Sequence, residues 1–397
     1  MLLALTIVLS MFPVILAGIP REDEYIFAKV VLFVGDLPAL ALAIAALPLM
    51  VGALRARPRL RIPVLWAALL AVQLVAFLVH PSAEGVQTLL RLTTALGIIV
   101  TVGSLRGSAE RTTIVGCLAA SSALQALIAL AQIVHGGPLG LAMLGESPSL
   151  MAGGRQGQLV SPEGTMTHPH MLASLAVLAG TIAAGQLIRS GPAIPWSMAE
   201  AVALAPAGFT YARTALAGVA LAGLVLARGA LGARPRHRIA LAALVIGFGV
   251  PALIGLDGWG RKTDDVAFAN GRDELTAQAL LLIAADPLIG VGPGREMQAL
   301  RALQARSPEK VTLLNAVHDV PLTVAVESGV AGFAVVTLLL AVAGYRAVRG
   351  GAPALAIFVG YLPFVVLDHF PYSYQHGLVL TAVWLGAIDL FAEREGA

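Results

Sequence analysis

Residues 62–80 read IPVLWAALLAVQLVAFLVH, a run without one aspartate, glutamate, lysine or arginine. The hydrocarbon core of a bilayer is crossed by about 20 helical residues, so this stretch is long enough to span it. In lipid the backbone has no water to bond, which leaves only helices and closed barrels. No period-2 alternation marks barrel strands here, and Leu and Ala dominate, so the run is a transmembrane helix. Its neighbours repeat the pattern. Of 397 residues, 58% are hydrophobic and 12% charged, with a mean hydropathy of +0.84. Soluble domains carry about 25% charged residues. The expected fold is therefore an all-α, polytopic integral membrane protein forming a single membrane domain over 1–397.

About twelve transmembrane helices are expected, at roughly 2–18, 29–52, 62–80, 86–104, 112–135, 169–188, 197–211, 213–228, 239–256, 318–343, 353–370 and 376–392. Leu2–Gly18 lacks a basic leader and is followed by Glu22-Asp23-Glu24, so it reads as a retained span rather than a signal peptide. The pair 197–211 and 213–228 is short, and the Thr210-Tyr211-Ala212-Arg213-Thr214 hinge also fits inside one long helix. The lone Cys117 excludes an internal disulfide and a cysteine metal site.

Charge supplies the orientation, because cytoplasmic loops collect Lys and Arg. With the N-terminus inside, one face receives Arg55, Arg57, Arg59, Arg61, Arg106, Arg111, Arg189, Arg228, Arg234, Arg236, Arg238, Arg346, Arg349 and Arg394. Leaving out its longest loop, the other face holds Arg21, Lys29, Arg155 and Arg213, so 14 basic residues stand against 4. The first face is expected to be cytoplasmic, with both termini on it. Treating 197–228 as one helix would put the basic clusters on alternating sides, which favours the split at the hinge.

Two outer loops are long, 136–168 and 257–317. The second carries Arg261, Lys262, Arg272, Arg295, Arg301, Arg306 and Lys310; loops of this length escape the charge rule. Within it, Asn270 is placed to cap a helix over 272–285 with Leu275, Ala279, Leu282 and Ile283 on one face. A second amphipathic helix over about 295–306 puts Met297, Leu300 and Leu303 together.

Several polar residues stand at the outer rim. Arg213 begins a span, where it is either functional or an interfacial anchor beside Tyr211. Arg272 opens the first loop helix beside Asp273 and Glu274, where a local ion pair also accounts for it. Arg295 follows a glycine-rich turn; such turns can cradle phosphate, but no strand precedes this one, so neither a P-loop nor a dinucleotide fold applies. His318 lies at the next span's start, where a neutral imidazole suits a general base. Asp319 follows it, and Glu327 lies about two turns further in, either as a buried acid or as part of a packed Glu-Ser-Gly bend. His168-Pro169-His170 is too sparse for a metal site with only Glu163 nearby. Asp368, His369 and His376, with Tyr372 and Tyr374 between them, read as an interfacial belt. Asp36 and Arg91 fall within apolar runs, where a pair across helices is one way to hold them, though the sequence does not show it.

Three segments together resemble the O-antigen ligase and O-antigen polymerase superfamily. Thr210-Tyr211-Ala212-Arg213-Thr214-Ala215-Leu216-Ala217 is similar to its Ser-Arg-Gly helix start. Gly271-Arg272-Asp273-Glu274-Leu275 through Pro287-Leu288-Ile289-Gly290-Val291-Gly292-Pro293-Gly294 resembles its Arg…Pro-x-x-Gly-x-Gly stretch. Asn315-Ala316-Val317-His318-Asp319 with Glu327-Ser328-Gly329 resembles its His-Asn…Glu-x-Gly stretch. Gly164-Thr165-Met166-Thr167-His168-Pro169-His170 also fits, although the family more often has Asn near 170. Asp319 stands where the family has Asn, and Ala212 where it has Ser.

The resemblance implies a helical C-type glycosyltransferase in the bacterial inner membrane, active on the periplasmic or exterior face in lipopolysaccharide or polysaccharide biosynthesis. It implies a donor glycan on undecaprenyl pyrophosphate and a lipid A-core, glycan or protein acceptor. No cofactor or metal and no nucleic-acid partner are expected, while membrane lipid surrounds the chain. By resemblance His318, Arg272 and Arg213 are the catalytic set. Arg213, Arg272, Arg295, Tyr211, His170 and Asp319 are the expected substrate contacts. The rival from another class is a polysaccharide or lipid-linked oligosaccharide flippase, which also needs many spans and intramembrane charge.

Overall fold

The structure is a computed structural model that describes residues 1–18, 31–55, 61–105, 107–147, 160–189, 192–232, 234–255, 267–311 and 313–392. Sixteen helices are described, α1 Leu2–Ser10, α2 Asp36–Ala45, α3 Leu47–Arg55, α4 Ile62–Val79, α5 Ala83–Gly103, α6 Ser108–His135, α7 Pro169–Arg189 and α8 Ala193–Phe209 being the first eight. The rest are α9 Arg213–Leu231, α10 Pro235–Ile254, α11 Ala267–Ala285, α12 Glu296–Arg306, α13 Val320–Gly350, α14 Ala352–Leu367, α15 Phe370–Ser373 and α16 Gln375–Ala392. The described sheet is one antiparallel hairpin, β1 Ile15–Gly18 with β2 Val31–Phe33.

The chain is an all-α polytopic membrane protein. Eight helices (α4, α5, α6, α7, α9, α10, α13 and α16) are long and apolar enough to cross a bilayer. A ninth crossing is available to α2 and α3 together, bent by 58°. The remaining expected spans are shorter. The α8 helix has 17 residues with Pro206 inside it, and α14 has 16 with Pro363 inside. The first expected span, 2–18, is not one helix. It stops after nine residues, shortly before Pro13, and re-emerges as β1; proline lacks the amide hydrogen and disfavours helix in the residue before it.

Helices α7 and α16 form the centre, with 94% and 89% of their spanning windows buried against 39% for α4, α9 and α10. Around them α8 packs on α6, α7 and α10, while α14 packs on α7, α9 and α13. The hinge at 210–212 is a true break between α8 and α9. Asp36 and Arg91 meet across helices at 3.9 Å, and Arg91 also donates to the Val31 carbonyl at 2.9 Å.

Beyond the bundle, α11 and α12 have their own small core. Ala279, Leu282, Met297 and Leu300 cluster with Ala316, Val317 and Val326 of the α13 approach, as the two amphipathic faces require. The α11 helix begins earlier than expected, at Ala267, which places Asn270 inside its first turn rather than before its start.

Candidate functional site

The glycine-rich turn is fastened to α13. Gly290, Gly292 and Gly294 all take left-handed φ, at +73°, +95° and +70°. That conformation points the backbone N–H groups of Val291 and Gly292 at the carbonyls of Val326 and Glu327, at 2.9 and 3.0 Å. Val330 returns a bond to the Pro287 carbonyl at 2.8 Å. On α13 the matching break is Ser328-Gly329, where Gly329 adopts φ +67°, ψ −164°. A Cβ on Gly290 would lie 2.5 Å from the Val326 carbonyl oxygen, and one on Gly329 would lie 2.4 Å from the Leu288 carbonyl. These contacts leave no room for a side chain.

Glu327 completes the joint. Its Oε1 accepts the Gly294 N–H at 2.7 Å, and its Oε2 accepts the Tyr372 hydroxyl at 2.8 Å and the Gln73 amide at 3.4 Å. Gln73 also donates to the Tyr372 hydroxyl at 2.7 Å. The amides of this turn are therefore spent on α13 and do not cradle phosphate. Glu327 belongs to the packed bend rather than to an open reaction centre.

A different arrangement lies at the start of α13. The buried Glu296 carboxyl accepts the Val317 N–H at 2.8 Å, which fixes the residue before His318. Burial, opposed by that bond and reinforced by the Glu327 charge, pushes Glu296 up to about 8. Asp319 caps α13 by accepting the Leu322 N–H at 2.7 Å, so this oxygen serves the helix and not a substrate. His318 is half-buried, with Nδ1 3.1 Å from the Ala316 carbonyl oxygen. A carbonyl only accepts, so Nδ1 carries the hydrogen and Nε2 keeps its lone pair.

His369 stands edge-on to His318 with ring centroids 5.1 Å apart. The Ser373 hydroxyl donates to the His369 carbonyl at 3.0 Å and lies 2.6 Å from His369 Nδ1. Its hydrogen being spent, the hydroxyl oxygen accepts from Nδ1. Asp368 lies among three histidines. Its Oδ2 is 2.8 Å from His170 Nδ1, and its Oδ1 accepts the His369 N–H at 2.8 Å. Burial would raise the Asp368 carboxyl, but the His170 hydrogen bond and the charges of His170, His369 and His318 together hold it well below the carboxylate range. Burial holds His318 below its ordinary 6.5; Asp368 pushes it up, and Arg272 and His170 push it down. Burial depresses His369 to about 4, against the pull of Asp368. The ligating atoms of His318, Asp368 and His369 lie within 4.8 Å of one another.

Of the expected arginines, Arg272 is the one whose charge reaches His318. Arg213 is exposed at the first turn of α9. A Cβ on Gly218 would lie 2.2 Å from the Gly360 carbonyl oxygen, and Val177 touches both glycine positions, so α7, α9 and α14 cross at one level. Arg213, His170 and Asp368 are five, seven and eight residues from that level towards the same end, or about 7–12 Å at 1.5 Å per residue. Arg213 thus shares the layer of the histidines. Tyr211 precedes it with φ +53°, and Thr167 precedes the His168-Pro169-His170 segment with φ +63°. Among the described residues these are the non-glycine positions with positive φ, a strained conformation that marks functional sites. Arg295 lies apart in the glycine corner, its Nε donating to Gln298 at 3.4 Å.

Sequence reasoning placed Asp368 and His369 in an interfacial belt; the structure buries them against His318. The missed signal is Asp368 directly after an apolar helix on the same face as His318. Glu296, which the sequence reading did not single out, is the clamp on Val317.

Residues 201–337 match the family model described as O-antigen ligase. The match includes Arg213, Arg272, Arg295, His318 and Glu327, whereas His170, Asp368 and His369 lie outside it. A search of curated proteins gives no match.

Proposed function

From its place in the O-antigen ligase and polymerase superfamily, we propose that this chain transfers a glycan from undecaprenyl pyrophosphate to an acceptor hydroxyl. Transfer takes place on the outer face of a bacterial inner membrane. The observation that carries this reading is the half-buried ring of His318: its Nδ1 hydrogen is anchored on Ala316, its Nε2 keeps a lone pair, and it lies within reach of the Arg272 charge.

His318 Nε2 takes the acceptor hydroxyl proton as the oxygen attacks the anomeric carbon. The bond from that carbon to the pyrophosphate oxygen breaks, and the lipid pyrophosphate leaves with the electron pair. In-line attack inverts the anomeric configuration. Arg272 and Arg213 neutralise the leaving group; guanidinium forks bind phosphate oxygens in pairs and stay charged. Preorganised charge of this kind contributes roughly 3 kcal/mol per group, by analogy with oxyanion donors. Asp368 and His170 act on His318 through charge and do not touch the acceptor. No divalent ion is needed when arginines occupy its role.

The test is purified protein incubated with labelled undecaprenyl-pyrophosphate glycan, offered lipid A-core, a second lipid-linked repeat or a protein as acceptor. Transfer to one of the three, unchanged by chelator, is expected. Movement of the donor across vesicles without transfer would establish the flippase instead. Activity abolished by chelator and restored by Mg²⁺ or Mn²⁺ would overturn the arginine mechanism.

A further inference from the structure

We propose that α11, the helix that carries Arg272, lies bedded in the outer leaflet of the bilayer, with phospholipid acyl chains covering its outward face. The first observation is the sequence of that face. From Leu275 to Ala285 the polar residues are Thr276 and Gln278, and neither is exposed. Ala279 and Leu282 turn into the small core shared with α12. Ala277, Leu281 and Ala284 follow one another at helical spacing on the opposite face, with Leu280 beside them. All four are exposed, Leu280 by 53% and Leu281 by 39%. A helix that is apolar all round is one that is covered all round. The protein covers one side of α11 and leaves the other to the surroundings.

The partner helix in that core is built differently. Along α12, Gln298, Arg301, Gln304 and Arg306 interrupt the apolar residues, Arg306 is exposed, and the exposed Glu309 and Lys310 follow. That surface suits water. The two helices of one core therefore meet two different solvents.

Continuity with the spanning helices identifies the solvent of α11. Val330 of α13 donates to the Pro287 carbonyl at 2.8 Å, which sets Leu288, 71% exposed, beside it. Val330 and Phe333 are themselves exposed on a helix long and apolar enough to cross the membrane. His80, at the end of α4, reaches Asp286 at 3.4 Å, next to the exposed Leu78 and Val79. The apolar surfaces of two spanning helices thus converge on the end of α11. Acyl chains that wet Val330 and Phe333 also reach Leu288 and, further back along α11, Ala284, Leu281 and Leu280. Helices with such a face settle at the boundary of headgroups and acyl chains. Arg272 rides on the same helix, so the bedding fixes the height of its guanidinium against the layer of lipid phosphates. This second half rests on Arg272 holding the donor pyrophosphate; the bedding itself does not.

The experiment uses full-length Cys117→Ala protein in vesicles of phosphatidylethanolamine and phosphatidylglycerol. A nitroxide is placed on single cysteines made by Leu281→Cys, Leu288→Cys, Phe333→Cys and Arg306→Cys. Oxygen, which concentrates among acyl chains, and a water-soluble nickel chelate are the two collision reagents. Oxygen should dominate relaxation at Leu281 and Leu288, as at Phe333, and nickel should dominate at Arg306. Nickel-dominated relaxation at Leu281 or Leu288 would overturn the bedding. Shielding of these positions from both reagents would also overturn it, because a second copy or another protein would then cover the face. Leu281→Asp, a change at an exposed position, should raise KM for the lipid-linked donor several-fold and keep kcat. An unchanged KM would overturn the tie to Arg272, while the collision ratios still decide the bedding. A chain that transfers no glycan at all would defeat the reading of function and leave those ratios as they are.

Discussion

The glycine corner and the histidine cluster lie at opposite ends of one helical segment, residues 320–327, and both contain buried acids. They differ in what their polar groups have left to offer. In the corner, the Val291, Gly292 and Gly294 amides all bond to α13, and Glu327 accepts from three donors. In the cluster, Asp368 is surrounded by histidines, and His318 Nε2 keeps its lone pair once Nδ1 is bonded to Ala316. Closed hydrogen bonding makes the corner architecture; the open lone pair of His318 makes the cluster chemistry. The corner nonetheless serves the cluster, because Gly294 leads into the helix whose Glu296 clamps Val317 beside His318.

The largest effect is expected from breaking the corner itself. Gly329→Ala forces a Cβ to within 2.4 Å of the Leu288 backbone, in a conformation that is essentially glycine-only. Backbone strain alone costs about 1–3 kcal/mol, and the loop must also be displaced. The variant should lose both thermal stability and transfer. Unfolding in detergent checks the first; a Gly329→Ala protein as stable as its parent would show that α13 does not need this joint.

Next comes the contrast between His318 and Glu327. His318→Ala should leave folding and donor binding intact while cutting turnover roughly 100-fold or more. His318→Gln, which keeps size but cannot take the proton, should be nearly as poor. Glu327→Gln should act the other way round. Its amide cannot accept from both Gly294 and Tyr372, so stability falls by about 1–3 kcal/mol while turnover per folded molecule is kept. Equal loss of turnover in His318→Gln and Glu327→Gln would erase the distinction between the regions and make Glu327 a candidate base.

The two regions were unequally legible in the sequence. Apolar runs such as 62–80 fixed the membrane helices, because hydropathy and length are local properties. The break before Arg213 followed from counting basic residues by side. The helix faces of Leu275, Ala279 and Leu282 and of Met297 and Leu300 were readable from period, and both are buried. Pairing was not readable. Nothing local says that Glu327 meets Gly294, 33 positions away, or that His170 meets Asp368 across 198 positions. Asp368 and His369 read as an interfacial belt for the same reason; burial depends on what packs over a residue. The first span failed at Pro13, where composition outweighed the breaker in the reading.

Arg272 offers a smaller but sharper test. Arg272→Lys keeps the charge that acts on His318 but loses the planar fork. Donor use should fall about 10-fold, the cost of one charge-assisted hydrogen bond, while the pH profile keeps its shape. The measurement is kcat/KM for the lipid-linked donor across pH. A displaced pH limb with unchanged donor affinity would mean that Arg272 tunes the base and does not hold the pyrophosphate.

The smallest effect expected is a shift rather than a loss. His318 works as a base only when neutral, so activity should fall as the pH drops through its pKa, which lies below 6.5. Asp368 favours the protonated ring and so raises that pKa; removing its charge lowers it further. In Asp368→Asn the acid limb should therefore move to lower pH. The plateau at higher pH should drop only modestly, because a weaker base takes the proton less readily. His170 can still donate to the amide oxygen, so its ring need not move. A mere packing role for Asp368 would lower activity evenly at every pH. Profiles of kcat/KM for the two proteins, superimposable after scaling, would leave Asp368 without an electrostatic hold on His318. The cluster would then differ from the glycine corner only in its one basic ring.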